Sequence, residues 1–343
     1  MLDNLDLLGL FASTWDLLCG RKKEPEPQET QEEKQEDTYY PEEVNPVKVT
    51  FRPQTLDQYI GQENAKERVR ILLTKIMNLN KYSHTLIVGS AGTGKSTLAG
   101  IIGNHLDFEV TYHTGGDFTK EALKDFLIKN EVGKPHILFI DEIHLLDKKL
   151  GEYMYPLTED FKLVGTETVN IRPFIFLGAT TDFFTMLKKF KPLVDRLGGE
   201  PIYLEQYNAE EMMQIIKQYN KKVYNENIEE NVFFKLCVNC RFTPRIALAM
   251  FDDFMACKNI DRVLKSRRII KDSLTTTDIK ILEHLIEIGK PIGEEALAIT
   301  AQVEKQNYKL WFEPFLIQQG LLTRRSRGRV ATEKARKLLE ELK

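Results

Sequence analysis

Cysteine is scarce in this chain, with only Cys19, Cys237, Cys240 and Cys257 among 343 residues. Four cysteines so scattered exclude a disulfide framework. The Cys237-x-x-Cys240 pair has no second pair and no histidine at ligand spacing. Its neighbours Phe233, Phe234, Leu236 and Val238 read as a buried helix, so both thiols are expected in a core rather than on a metal. Long apolar runs are also missing, and none approaches the roughly 20 residues that span a bilayer. The opening Met1-Leu2-Asp3-Asn4-Leu5-Asp6 lacks the basic stretch of a secretory signal, and no internal repeat stands out. A soluble protein of a reducing, cytoplasmic compartment is expected, in line with 42% hydrophobic and 29% charged residues.

Charge is small in sum and uneven in place. The net is −3, yet residues 24–43 hold nine acidic residues and one lysine, while residues 1–23 balance. The last twenty residues hold eight basic and three acidic side chains. An acidic tether at one end and a basic patch at the other is the informative pattern, and the patch is compatible with nucleic acid.

The chain divides into five stretches. Residues 1–20 read as a short apolar helix carrying Leu2, Leu5, Leu7, Leu8, Leu10, Phe11 and Trp15. Residues 21–46 are rich in Glu, Gln, Pro and Lys and cannot bury a core, which makes them a disordered linker. The first helix is therefore a tethered module for an unknown protein partner. Its one basic cluster, Arg21-Lys22-Lys23, is thin for a membrane surface. Over 47–207, apolar runs at Thr85–Val88, Phe108–Tyr112, Ile137–Ile140 and Ile175–Gly178 alternate with helical stretches. This βαβ alternation predicts an α/β domain with a parallel sheet. Residues 208–271 read as an all-α lid. Residues 272–343 read as helices of 12 residues or fewer, followed by a hairpin around an Arg-Gly turn, which is a winged-helix plan.

The stretch Gly89-Ser90-Ala91-Gly92-Thr93-Gly94-Lys95-Ser96 follows one apolar run and opens a helix. Glycines let successive backbone N–H groups face a phosphate, and the helix adds its positive end. Lys95 is expected to reach the β- and γ-phosphates of a nucleotide and Ser96 to ligate Mg²⁺. Downstream, His136-Ile137-Leu138-Phe139-Ile140 delivers Asp141 and Glu142 at a strand end, where ligands bind in open α/β sheets. Asp141 is expected on the metal and Glu142 on the attacking water. Gly178-Ala179-Thr180-Thr181 brings two hydroxyls to a third strand end, and Arg196 and Arg245 offer guanidiniums suited to a transferring phosphoryl group. The arginines Arg324, Arg325, Arg327 and Arg329 cluster on the hairpin. Such a run is either a solvated face or a salt-sensitive contact to DNA phosphates.

Taken in order, these residues resemble the Walker A, Walker B, sensor 1, arginine finger and sensor 2 of an AAA+ ATPase. Within that class, residues 52–335 resemble the RuvB family, motors of Holliday-junction branch migration. The telling strings are Arg52-Pro53-Gln54-Thr55-Leu56-Asp57-Gln58-Tyr59-Ile60-Gly61-Gln62, Phe139-Ile140-Asp141-Glu142-Ile143-His144, Glu313-Pro314-Phe315-Leu316-Ile317-Gln318-Gln319-Gly320 and Arg327-Gly328-Arg329-Val330-Ala331-Thr332. The resemblance implies ATP enclosed by Phe51, Arg52, Tyr59 and Ile60, with Tyr207 on the adenine side. It implies phosphate and Mg²⁺ contacts from Gly92, Gly94, Lys95, Ser96 and Thr97, and a nucleotide-contacting segment at Glu159, Asp160 and Phe161. Thr180 takes the sensor 1 place, Arg196 enters a neighbour's site, and Arg245 is the sensor 2 arginine. Lys305, Arg324 and Arg329 match DNA contacts. Double-stranded or branched DNA and a homo-hexamer are the implied partners.

Two departures bear on a further partner. The family's hairpin that docks on the junction-binding protein RuvA is shortened here, over 162–172, and residues 1–46 have no counterpart. A clamp-loader or helicase-loader ATPase that remodels a protein on DNA is the alternative, and an adaptor with a regulated ATPase scaffold is a third reading.

Overall fold

In a computed structural model the described residues are 51–164 and 168–342. The expected N-terminal helix, its acidic linker and residues 165–167 lie outside them. The chain forms two compact units, divided between Gln206 and Tyr207. No helix among the described residues is long and apolar enough to cross a membrane.

The first unit is built on a parallel sheet of β1 (Thr85–Val88), β2 (Glu109–Thr114), β3 (His136–Asp141), β6 (Ile175–Thr180) and β7 (Ile202–Tyr203), in the order β2-β3-β6-β1-β7. Side chains alternate across its two faces. Ile137, Phe139, Ile175 and Leu177 enter one core cluster, while Leu138, Ile140 and Phe176 enter the other. Both faces are covered, which is why these strands read as unbroken apolar runs rather than as alternating ones. The covering helices are α1 (Glu63–Leu79), α2 (Lys95–Leu106), α3 (Lys120–Val132), α4 (Lys148–Glu159) and α5 (Phe183–Arg196). Asp147 and Asp182 cap α4 and α5 by accepting from backbone N–H groups of their first turns. The shortened stretch does form an antiparallel hairpin, β4 (Lys162–Val164) with β5 (Thr168–Asn170), only three residues on each side.

The second unit opens with α6 (Ala209–Val223), α7 (Glu230–Asn239), α8 (Pro244–Cys257) and α9 (Ile260–Ser266). Cys237 and Cys240 are buried there, and burial pushes their thiols up to about 12 and about 11. A short hairpin, β8 (Ile269–Lys271) with β9 (Leu274–Thr275), leads into α10 (Thr276–Ile288), which at 13 residues is longer than the sequence suggests. Then come α11 (Glu294–Ala301), a turn at Lys305–Asn307, a π-helical turn at Tyr308–Phe312 and α12 (Glu313–Gln318). The wing is β10 (Leu322–Arg325) with β11 (Gly328–Ala331), followed by α13 (Glu333–Glu341).

A buried ion pair ties the four-helix part to the winged helix. The Arg241 Nη2 donates to Asp278 Oδ2 at 2.6 Å, and the guanidinium lies 4.2 Å from the Phe315 ring centroid. Burial pulls the arginine's pKa down and pushes the Asp278 carboxyl up, so desolvation works against both charges. Two bonds from Thr275 to the same carboxylate oxygen, at 2.8 and 2.6 Å, help to hold it.

Candidate functional site

The loop from β1 to α2 has the backbone that a phosphate cradle needs. Gly92 and Gly94 take φ of 78° and 103°, in the left-handed region that favours glycine. A Cβ on Gly94 would meet the Tyr59 hydroxyl at 2.6 Å. That hydroxyl donates to the Thr93 carbonyl at 3.2 Å, so the strap before α1 is fastened to the loop it flanks. Lys95 Nζ donates to the carbonyls of Gly89 and Ser90 at 2.9 and 3.1 Å, and the loop wraps its ammonium. Phe51 and Ile60 are half-buried on the strap and Arg52 is exposed, whereas Ser96 and Thr97 are half-buried at the start of α2.

Strand order decides what faces this loop. With β6 between β1 and β3, the end of β6 lies between the P-loop and the two carboxylates. Gly89 N–H donates to the Thr180 carbonyl at 3.2 Å. Glu142 takes φ 45° and ψ 45°, left-handed for a side-chain-bearing residue, which turns the chain sharply after β3. Its Oε2 accepts from Thr181 N–H at 3.1 Å and from Thr181 Oγ1 at 2.7 Å. His144 Nδ1 lies 2.9 Å from Thr180 Oγ1 and 3.4 Å from Glu142 Oε2. Lys189 steadies that turn by donating to the His144 carbonyl at 3.4 Å and to the Leu146 carbonyl. Sequence reasoning missed His144 as part of the site, although it stands two residues after Glu142.

Among the described residues, no group of three or more His, Cys, Asp or Glu side chains could hold a metal ion. A Mg²⁺ ion on Ser96 and Asp141 would therefore complete its shell with phosphate oxygens and water, as that ion usually does in phosphate sites. The donor set, one hydroxyl and one carboxylate beside a glycine cradle, fits that role.

Arg196, Glu159, Asp160 and Phe161 are gathered elsewhere. Arg196 Nε and Nη2 donate to Glu159 Oε2 at 2.9 and 2.7 Å, and its guanidinium sits 5.2 Å from the Tyr155 ring centroid. Phe161 packs edge-on against His84 and Phe174, which immediately precede β1 and β6. This is the amino-terminal end of these interior strands, whereas the P-loop follows the carboxyl end of β1, whose four residues span about 13 Å. Asp160 is exposed and pairs with Lys162 at 3.3 Å. None of the four lies at this chain's own P-loop.

In the second unit Tyr207 is buried and Arg245 is exposed in the first turn of α8. The three cations matched to DNA contacts are all paired. Arg324 Nε donates to Glu313 Oε1 at 2.8 Å. Arg329 donates to Glu313 Oε1 and Oε2 at 2.7 and 3.1 Å and to Glu294 Oε2 at 2.8 Å. Lys305 Nζ lies 3.3 Å from Glu294 Oε1.

Comparison with known proteins agrees with this architecture. The P-loop domain of the Holliday junction DNA helicase RuvB matches residues 51–201, and the RuvB C-terminal winged-helix domain matches 271–340. The Holliday junction branch migration complex subunit RuvB of Thermotoga petrophila is 35% identical over 314 residues, covering 84% of this chain and 92% of its own. That of Ehrlichia ruminantium is 33% identical over 315 residues, covering 85% and 93%. The solved RuvB branch migration motor of Thermotoga maritima superposes with a TM-score of 0.72 at 33% identity, over 84% of this chain and 98% of that one. With a glycine cradle, paired carboxylates and a winged helix in the same order along nearly the whole length of these relatives, the chain belongs to the RuvB family of P-loop ATPases.

Proposed function

We propose that this chain is an ATP-driven DNA translocase of the RuvB type, which pulls double-stranded DNA to move four-way junctions in recombination and repair. It works in the cytoplasm as a homo-hexamer. The observation that carries the reading is the pairing of Arg196 with Glu159 beside Phe161, at the amino-terminal end of the strands and opposite to the P-loop. An arginine there has no reach to its own nucleotide and suits the site of a neighbour in a ring.

The reaction is hydrolysis of the γ-phosphoryl group. Phe51, Arg52, Tyr59 and Ile60 enclose the adenine, and Tyr207 is an adenine-side contact. Lys95 exchanges the Gly89 and Ser90 carbonyls for the β- and γ-phosphate oxygens, while N–H groups of Gly92 to Thr97 bind the phosphates. Ser96 and Asp141 would hold a magnesium ion, which would supply positive charge to offset that of the phosphates. Glu142 accepts a hydrogen bond from the attacking water and takes its proton as the bond to phosphorus forms and ADP leaves. Thr181 and His144 orient that carboxylate, and Thr180 contacts the γ-phosphate or the water. Arg196 of the adjacent subunit and Arg245 stabilise the charge spread over the transferring group, with Glu159 to Phe161 lining the neighbour's nucleotide.

The winged helix holds DNA through backbone phosphates, which a motor indifferent to sequence requires. The relatives are named as subunits of a branch migration complex, and a junction-binding protein of the RuvA kind is the matching partner. The β4–β5 hairpin, three residues a side, is the feature that favours the loader reading, since it offers little for such a partner to grip. ATP turnover measured without DNA, with duplex and with a four-way junction separates the two. Stimulation by DNA alone is expected of the motor, and turnover that no DNA stimulates sinks it.

A further inference from the structure

We infer that Gln62 is a positioning residue of the nucleotide site. Its side-chain amide fastens the strap at 51–61 to the chain leaving β7, and so shapes the part of the site that holds the base, while phosphate is left to the P-loop. This role rests on the ATP reading above and concerns the base-dependent share of its affinity.

Gln62 stands at the N-terminal cap position of α1 but does not cap the helix with its side chain. Its backbone takes φ 59° and ψ 39°, left-handed for a residue with a side chain, directly after Gly61 at φ 68°. The amide crosses instead to a residue 143 positions on. Nε2 donates to the Glu205 carbonyl at 2.7 Å, and Oε1 accepts from the Glu205 N–H at 2.9 Å. A primary amide that meets the N–H and the C=O of one residue stands in for the backbone of a neighbouring strand. Gln62 is buried, as a hydrogen-bonded amide can be.

Both ends of this clasp touch the site. On the strap side, the buried Lys66 donates from Nζ to the Tyr59 carbonyl at 3.1 Å, and the Tyr59 hydroxyl reaches the Thr93 carbonyl at 3.2 Å. On the other side, Leu204 N–H donates to the Val88 carbonyl at 2.7 Å, and a Cβ on Gly89 would lie 2.9 Å from the Leu204 Cβ. The P-loop is thus held by Tyr59 and Leu204 through contacts that do not pass through Gln62. Gln62 supplies the bonds that join the end of the strap to the segment after β7. Glu205 is exposed, so water can replace those bonds when Gln62 is changed, and the fold survives their loss. The strap then loses a fixed end. Base affinity falls, because ordering Phe51, Arg52 and Ile60 must be met out of the binding free energy.

The test is calorimetric binding of two ligands, ATP and inorganic tripolyphosphate, to the full chain with Mg²⁺, well below the melting temperature. Gln62→Met, which keeps the length of the side chain without its bonds, is expected to weaken ATP about 10-fold and leave tripolyphosphate at its wild-type Kd. Gln62→Ala is expected to do the same. Both should raise KM for ATP by that factor, with kcat close to wild type. Wild-type ATP affinity in Gln62→Met overturns the assignment, since the bonds are then idle. So does an equal loss for both ligands, the mark of a loosened site rather than a misplaced strap. A wild-type chain that binds neither ligand overturns the ATP reading and this assignment with it.

Discussion

Thr181 donates both its N–H and its hydroxyl to one oxygen of Glu142, at 3.1 and 2.7 Å. The two residues end adjacent stretches of the sheet, β6 and β3, so the sheet's own register aims the carboxylate. Oε2 is thereby occupied by Thr181, and no described hydrogen bond engages Oε1, the oxygen left for water.

Loss of that aim should appear in turnover rather than in binding. Thr181→Ala removes one charge-assisted hydrogen bond and is expected to lower kcat for ATP about 10-fold, with KM unchanged and Thr181→Ser close to wild type. Glu142→Gln, which removes the base itself, is expected to cost about 100-fold or more. Steady-state ATPase assays check both. A Thr181→Ala variant that raises KM alone contradicts the positioning role.

The P-loop lysine gives a thermodynamic readout free of turnover. ATP with Mg²⁺ at about 100 times Kd should stabilise the wild-type chain by about 2.7 kcal/mol. Lys95→Ala, which trades the Gly89 and Ser90 contacts for nothing, should abolish that shift while melting normally without nucleotide. Thermal melts with and without nucleotide measure it, and an undiminished shift in the variant places the nucleotide elsewhere.

Arg196 should act across subunits. Lys95→Ala and Arg196→Ala are each expected to be inactive alone. Mixed in equal amounts, they should recover activity at about a quarter of the wild-type interfaces, where an intact P-loop meets an intact arginine. Mixtures that stay inactive under conditions where the chain assembles would remove the trans role.

Acid should loosen the wing. Burial alone would raise the Glu313 carboxyl, but the Arg329 and Arg324 guanidiniums outweigh it and hold the group below the usual range. Lys305, and after it Arg329, hold Glu294 below it as well. A carboxyl depressed in the folded state lends stability above its unfolded value, near 4.3, and loses it as pH falls through the lower folded value. The cluster's share of the melting temperature, read as wild type against Glu313→Gln, should therefore be level from pH 7 to about 5 and shrink below about 4.3. Buried His84, held down at about 4, lowers both proteins alike below about 6.5. Glu313→Gln should melt lower at neutral pH and fall less steeply in acid; an equally steep fall would show that the cluster does not carry the effect.

The nucleotide site was legible because its signals are local. A glycine-rich turn after an apolar run, and two carboxylates ending another, survive any tertiary context, and the central strands announced themselves by being buried on both faces. The β8–β9 hairpin did not, since its strands of three and two residues are too short to show a period. The wing shows the limit most sharply. Four arginines within six positions look alike in sequence, and only the fold shows Arg324 and Arg329 paired across the hairpin, over carboxylates at Glu294 and Glu313. Likewise Arg196 and Glu159 are 37 positions apart, and their pairing beyond the amino-terminal ends of the strands required the fold.

The central claim is that ATP hydrolysis in this chain moves DNA, and a synthetic four-way junction with labelled arms tests it most directly. The wild-type chain with ATP and Mg²⁺, across a salt series and with a RuvA-type junction-binding protein present, should convert the junction to duplex products. Glu142→Gln should bind the junction and leave it in place. Wild-type protein that hydrolyses ATP at its full rate yet leaves the junction unmoved at every salt concentration would contradict the account.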